Sequence, residues 1–443
     1  MNRWLDGLKQ LRDYPSALAG LTIIVFLVAL SVYTVISIPY GEAIDRWRGG
    51  EHWQRNPVNA APVWANRLLG GDAPATRTVS SQDAERTVTS FPGGKRISLP
   101  LDLAFKAGGF PSELSVFITA EFDERQPFVR LTWHKPDGER IPLGSYKVGA
   151  EERIALSQDR ALARRLGAPA HIGLFARDPG ADEPAVQTGD YKLTVDAIVF
   201  EEDAEVSADL VAYGQVHGLA GTDHQRRSLM LALLWGTPIA LAFGLIATVG
   251  TTITTLVVAA TGVWFGGWVD ALIQRLTEIN MILPLLPILV MIGTLYSTSI
   301  WLILAVVVAL GIFSAGIKTY RAMLLPLREA PYIEAARAYG AGHFRIIFGY
   351  MIPRILPVLL PTFVTLIPTY VFLEASLAVL GLGDPSLPTW GKLLNAAQEQ
   401  SALYHGFLYW VLEPAALLML TGLGFAMLGF ALDRVFNPRL RSV

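Results

Sequence analysis

Six stretches of the chain are apolar over about 20 residues, the length a membrane-crossing helix requires. They lie at about 17–39, 238–262, 279–297, 299–317, 355–381 and 407–430. Prolines at 284, 287, 357, 361, 368 and 414 interrupt them. Such residues are tolerated in a membrane only where neighbouring helices satisfy the freed backbone groups, so a packed, kinked bundle is expected. Between the first two stretches the pattern changes. In FVRLTWH (128–134), Val129, Leu131 and Trp133 alternate with Arg130 and Thr132; in YKLTVDAIVF (191–200), Tyr191, Leu193, Val195, Ala197 and Val199 alternate with Lys192, Thr194 and Asp196. A period of two predicts half-buried strands. Pro136-Asp137-Gly138 is a hairpin turn signal, and EERIALSQDRALARRLG (151–167) predicts a short helix. The expectation for the segment is a small antiparallel sandwich, β-rich from about 96.

A third pattern, YIEAARAYGAGHFRIIFGYMIPRILPVLLP (332–361), is a polar, basic, helix-forming run placed between two apolar stretches. Pro331 suits a first helical turn, and Gly340 supplies the left-handed geometry that ends a helix. A second helical stretch is expected from about Ala341 to Pro353. Small Ala335 and Ala336 on one face allow close approach by a partner. On these grounds alone, a docking loop and an ordinary connector between membrane helices are both open readings.

Composition agrees with a membrane protein: of 443 residues, 52% are hydrophobic and 17% charged, with a mean hydropathy of +0.40. The absence of cysteine excludes disulfides, thiolate metal sites and cysteine nucleophiles. The net charge of −2 conceals a division, because residues 41–220 hold 26 acidic against 20 basic residues while the remainder is basic. Nothing suggests a nucleic-acid footprint. The positive-inside rule sets the orientation. Arg3, Lys9 and Arg12 precede the first span; Lys318, Arg321, Arg328, Arg337, Arg345 and Arg354 lie between spans four and five; Arg434, Arg439 and Arg441 follow the last. The turn near Tyr296–Ser299 is uncharged, and the 382–406 loop holds Lys392 as its one base. Six spans with both ends cytoplasmic satisfy this distribution. The expected order is a cytoplasmic tail (1–16), an uncleaved first span (17–39), an extracytoplasmic insert (40–228), a core (229–432) with a cytoplasmic loop at 318–354, and a second tail (433–443).

Candidate chemistry is sparse. His134 and His171 are lone histidines, expected to be structural. Glu201, Glu202, Asp203 and Glu205 form an acidic run, expected to be a solvated strand end rather than a calcium site. Glu374 and Glu413 sit within apolar stretches, where carboxylates are costly and tend to face inward, which makes both candidates for a pore or outer gate. No Gly-x4-Gly-Lys-Ser/Thr phosphate loop is present.

The 332–361 segment resembles the EAA loop of ABC-importer permeases, with Glu334-Ala335-Ala336, then Gly340, then Pro353; Tyr350 stands where an apolar residue is usual. More widely, residues 217–441 resemble the second permease subunit of the dipeptide, oligopeptide and nickel class. His217-Gly218-Leu219-Ala220-Gly221-Thr222-Asp223 is similar to its approach to the second span, although of the following Gly-Arg-Asp motif only Arg227 is kept. Phe265-Gly266-Gly267-Trp268-Val269-Asp270, Glu374-Ala375-Ser376-Leu377, Leu380-Gly381-Leu382-Gly383 and Asn437-Pro438-Arg439-Leu440 are similar to further motifs. The insert is unmatched.

The resemblance implies a mainly α, polytopic fold of the importer-permease type, with no catalytic, cofactor or metal site of its own. Glu334, Ala335, Ala336, Arg337, Gly340 and Pro353 would couple it to an ATPase. The implied partners are a homologous permease subunit, two ATP-binding subunits carrying ATP and Mg, an extracytoplasmic substrate-binding protein and the lipid bilayer, with short peptides as cargo. Two other classes compete: an ATP-independent secondary transporter or channel, and a membrane-anchored sensor with an extracytoplasmic ligand domain.

Overall fold

The structure is a computed structural model and describes residues 14–83 and 85–436. Arg3, Lys9, Arg12, Arg439, Arg441 and the Asn437–Leu440 motif lie outside the described residues. The chain divides into two compact units, Gly49–Met230 and the rest.

The membrane unit begins with α1 (Pro15–Ser37) and α2 (Tyr40–Arg48). Pro15 opens α1 at a position whose N–H needs no intrahelical partner. Gly20 permits its close crossing with the last helix: a Cβ there would stand 2.7 Å from the Gly424 carbonyl oxygen.

The second unit holds α3 (Trp64–Leu69), strands β1 (Arg77–Ser80), β2 (Thr87–Phe91), β3 (Gly94–Phe105), β4 (Glu113–Glu121), β5 (Phe128–His134), β6 (Arg140–Lys147) and β7 (Glu151–Ala155), helices α4 (Arg160–Leu166) and α5 (Ala170–Gly173), then β8 (Gly189–Val199) and β9 (Glu205–Tyr213). The strands form two antiparallel sheets, ordered β1-β9-β4-β7 and β2-β3-β8-β5-β6. β3 and β8 pair from Lys95↔Val199 to Phe105↔Gly189. Val129, Leu131 and Trp133 of β5, with Leu193, Val195, Ala197 and Val199 of β8, are fully buried, as their alternation requires. They share one core with residues from both sheets, including Leu114 and Leu210. The β5–β6 turn closes through Gly138 N–H to Lys135 O (3.0 Å), with Gly138 at φ 91°.

Two expectations need correction. Strands begin at Arg77 rather than near 96. Residues 151–155 are strand, and helix starts only at Arg160, capped by Asp159, whose carboxylate accepts from the Ala161 and Leu162 amides. The exposed edge of β4 offered paired backbone hydrogen bonds to 151–155, and that tertiary gain overrides a modest helical propensity.

The segment that leaves the β unit is locked by side chains. Thr222 Oγ1 accepts from Ala60 N–H (3.0 Å) and donates to Pro57 O (2.8 Å). Buried Asp223 receives Arg227 Nε at 2.6 Å and the Gln225 and Arg227 amides at 2.8 Å. Arg226 grips Glu113 through two bonds of 2.8 and 2.6 Å and lies over the Tyr213 ring. Glu201 caps the 123–125 turn by accepting three backbone N–H groups, which hold its carboxyl below the usual carboxylate range. That role agrees with a strand end. His134 meets the Thr194 hydroxyl at 3.1 Å, and burial with nearby Arg140 and Lys192 lowers its pKa; burial also lowers that of His171.

The membrane unit resumes with α6 (Leu229–Phe265), α7 (Gly267–Ile282), α8 (Leu285–Leu295), α9 (Ile300–Gly311), α10 (Gly316–Arg328), α11 (Pro331–Ala338), α12 (His343–Ile346), a π-helical turn at Ile347–Met351, then α13 (Ile352–Leu377), α14 (Trp390–Glu399) and α15 (Leu408–Phe436). Among the described residues, four helical stretches are able by length and composition to cross a membrane, and up to six if each bent pair counts as one. The bent pairs are α7–α8 (76°) and α9–α10 (45°). At the second bend, side chains replace the lost ladder. Asn280 Nδ2 donates to Leu310 O (3.0 Å) and Phe313 O (3.2 Å), while Thr255 Oγ1 lies 3.0 and 3.1 Å from the Gly311 and Ile312 carbonyl oxygens. The Tyr370 hydroxyl meets Thr251 Oγ1 at 3.1 Å beside them.

Removing one member of a buried ion pair strands the other, at about 3 kcal/mol. Asp223→Ala is therefore expected to speed hydrogen exchange of the 222–228 amides on the order of a hundredfold in the full-length protein. Unchanged exchange would mean that the pair does not hold this segment.

Candidate functional site

The polar loop folds as its sequence requires. Pro331 opens α11, and Gly340 at φ 80° turns the chain at its end. The Tyr339, Gly340 and Ala341 amides donate to Ala335 O (3.0 Å), Arg337 O (2.9 Å) and Ala336 O (2.9 Å), which satisfies the last carbonyls of the helix. Ile333 and Ala336 are buried one turn apart, and Glu334, Ala335, Arg337 and Ala338 are exposed. The helix thus has one anchored face and one free face. Beyond it, Tyr339 is 92% and Phe344 78% exposed, with the Phe344 and Phe348 rings near parallel at 6.5 Å. Exposed aromatic rings of this size are costly to leave in water and suit burial by a partner.

The anchored face meets the end of α6. Ile333 shares a buried cluster with Val263, Trp264, Ile273 and Ile346. Trp264 Nε1–H donates to His343 Nδ1 at 2.9 Å, and the Arg337 guanidinium lies 4.6 Å from the centre of the Trp264 ring system. One indole therefore holds the loop on both sides of Gly340. A second tie holds the helix that leads into the loop: Arg321 on α10 grips Asp270 on α7 with contacts of 2.9, 3.1 and 2.6 Å. This bidentate, charge-assisted geometry fixes orientation as well as distance.

The expected site residues are placed unequally. Glu334, Ala335, Ala336, Arg337 and Gly340 come together on α11 and its turn. Pro353 lies apart, in the first turn of α13, where it continues the helix rather than ending one. Its missing N–H costs nothing there, and the π-helical turn at 347–351 absorbs the change of register. Glu374 is buried in α13. Glu413 is half-buried near the start of α15, with one enclosed carboxylate oxygen that lacks a hydrogen-bond partner among the described residues. The structure does not bring these two glutamates to the loop.

Trp264 and His343 went unmarked in the sequence, because nothing in local pattern relates positions 79 apart. Trp264 does precede the Phe265–Asp270 turn motif directly, the one signal that pointed toward it. Among the described residues no group of three or more His, Cys, Asp or Glu is arranged to hold a metal.

A bundle of long apolar helices with a half-exposed helix and turn between two of them defines a multi-pass membrane protein. Residues 252–442 match the family profile described as binding-protein-dependent transport system inner membrane component. The chain is 31% identical over 231 residues to the glutathione transport system permease protein GsiD of Pectobacterium atrosepticum, covering 50% of this chain and 73% of that protein. It is 30% identical over 227 residues to the dipeptide transport system permease protein DppC of Alkalihalophilus pseudofirmus, covering 50% and 72%. A peptidoglycan transport system permease protein, YejE of Agrobacterium fabrum, is 29% identical over 220 residues, covering 49% and 56%. The chain belongs to the binding-protein-dependent transport system inner membrane component family. It is a permease subunit of an ABC importer and leaves ATP hydrolysis to other subunits.

Trp264→Phe keeps a ring beneath Arg337 but removes the N–H donor. Losing one such bond costs about 1 kcal/mol, so amide exchange across residues 340–346 should quicken about fivefold. An unchanged rate would remove the indole bond from the account of how the loop is held.

Proposed function

We propose that this subunit carries short peptides inward, in company with a homologous permease subunit, two ATP-binding subunits and an extracytoplasmic substrate-binding protein. The relatives named for dipeptide and glutathione transport support the peptide class. ATP and Mg belong to the ATP-binding subunits. Each bent helix pair counts as one span in this reading, giving six with both ends cytoplasmic. Residues 40–228 are then extracytoplasmic, and their two sheets form a two-layer sandwich around a shared core.

The observation that carries the proposal is the division of α11 into a buried face on α6 and an exposed face of Glu334, Ala335 and Arg337, followed by the exposed Tyr339 and Phe344. An ATP-binding subunit grips the exposed face, and Ile333, Ala336 and the Trp264 contacts carry its displacement into the bundle. ATP binding draws the two ATP-binding subunits together, and their differential contacts bias the bundle between inward-open and outward-open states. Pro353 acts at the junction, where the loop passes into α13. In this reading Glu374, buried in α13, and Glu413 serve an outer gate on the opposite side.

Gly340 provides the test. Its surroundings are open, with no atom beyond its chain neighbours within 4 Å of an added Cβ, so a substitution there acts mainly through backbone strain at φ 80°. Gly340→Val should cost about 1–3 kcal/mol of local geometry and reduce peptide uptake per ATP hydrolysed about tenfold. Gly340→Asn, which tolerates left-handed backbone, should retain most of it. Uptake and ATPase activity measured together in vesicles check both, and full coupling in the valine variant would contradict the proposal.

A further inference from the structure

Where strand β1 stops, the edge of β9 is left without a neighbour. Alternate residues of an antiparallel strand turn their N–H and C=O groups to opposite sides. The Ala120 amide of β4 donates to Ala150 O, toward β7. Val206, which stands opposite Ala120 on β9, therefore turns its own backbone away from β4. That is the side of β1, but β1 pairs with β9 only from Ser80↔Asp209 to Arg77↔Ala212. Beyond it the Ala208 amide is met by a side chain, Ser81 Oγ, at 2.8 Å. For Val206, two residues further on and 5% exposed, no strand takes that place among the described residues. Backbone groups so enclosed almost always have a partner.

A cavity of about 430 Å³ opens along this edge. Val206 lines it, with Leu99 of β3 on its apolar side. Three charged residues complete it: Arg86 from the link between β1 and β2, Glu121 at the end of β4 and Glu205 at the start of β9. Glu121 and Glu205 stand directly opposite each other on neighbouring strands, where like charges repel. Arg86 Nη1 reaches Glu205 Oε1 at 3.4 Å, but both side chains are more than half exposed, and such a pair is weak enough to yield to a competing ligand.

We propose that this cavity binds the extended backbone of a short zwitterionic peptide. The peptide adds a strand to β9 at Val206, its ammonium group sits between Glu121 and Glu205, and the Arg86 side chain swings from Glu205 to its carboxylate. At about 3.3 Å per residue the uncovered edge at 205–207 spans about 10 Å, room for two or three residues. Recognition through main chain and termini leaves the peptide's side chains unread. The peptide class comes from the chemistry of this cavity; only its arrival from outside the cytoplasm rests on the orientation proposed above.

Tri-alanine, titrated calorimetrically into the full-length chain in lipid nanodiscs, should bind at one molecule per chain. N-acetylation, C-terminal amidation or N-methylation of its backbone should each weaken binding about tenfold or more. Arg86→Ala should weaken tri-alanine about tenfold and leave the C-terminal amide unaffected; Glu121→Gln should weaken tri-alanine and leave the acetylated form unaffected. Both side chains are exposed and neither belongs to the core, so the fold does not depend on them. Absence of binding, or binding indifferent to both substitutions, overturns the proposal. Peptide uptake by the assembled transporter is measured alongside. Binding of this pattern without uptake supports the site and removes the peptide-cargo reading; uptake without such binding does the reverse.

Discussion

One indole sets the geometry of α11 and the turn that follows it. Trp264, at the end of α6, donates to His343 on one side of Gly340 and lies beneath Arg337 on the other. Neither contact is strong alone, since a neutral hydrogen bond and a partly exposed cation–π pair are each worth about 1 kcal/mol. Together with buried Ile333 and Ala336 they fix α11 and its turn as one body against α6. A force applied to the exposed face then moves the helix instead of bending a loop. The Arg321–Asp270 grip adds a second rigid link between α7 and α10.

The same need to satisfy backbone groups governs the interior. At the α9–α10 bend four successive carbonyls, from Leu310 to Phe313, are met by just two side chains, Asn280 and Thr255. Those side chains come from α7 and α6, so the bend is held by two other helices. α10 leads from this bend directly to α11 and the turn at Gly340.

Much of this was legible in the sequence where a local period or a special backbone requirement left its mark. The alternation in 128–134 and 191–199 gave β5 and β8 with the right residues inward, and Gly340 marked the turn because φ 80° is costly for most other residues. The misreadings share a cause. Residues 151–155 were assigned to helix because their pairing with β4 involves positions more than 30 residues away. The helical stretch expected to run to Pro353 continues past it, because the π-helical turn at 347–351 accommodates the missing N–H. The α9–α10 bend contains no proline between Ile312 and Ala315 and is kept open by distant side chains. Trp264 and His343 carry no mutual signal, because their contact exists only after the intervening helices have packed.

The central claim is that an ATP-binding subunit covers the exposed face of the 331–344 segment. It is tested most directly by Tyr339→Cys, placed at the most exposed ring of the loop in a chain that has no cysteine of its own. In the assembled transporter a short bifunctional thiol cross-linker should join this position to an ATP-binding subunit, with a yield that changes when ATP is added. Tyr404→Cys, 89% exposed in the 400–407 turn, should give no such product. Equal cross-linking at both positions, or none at Tyr339→Cys while the subunits remain associated, would contradict the claim.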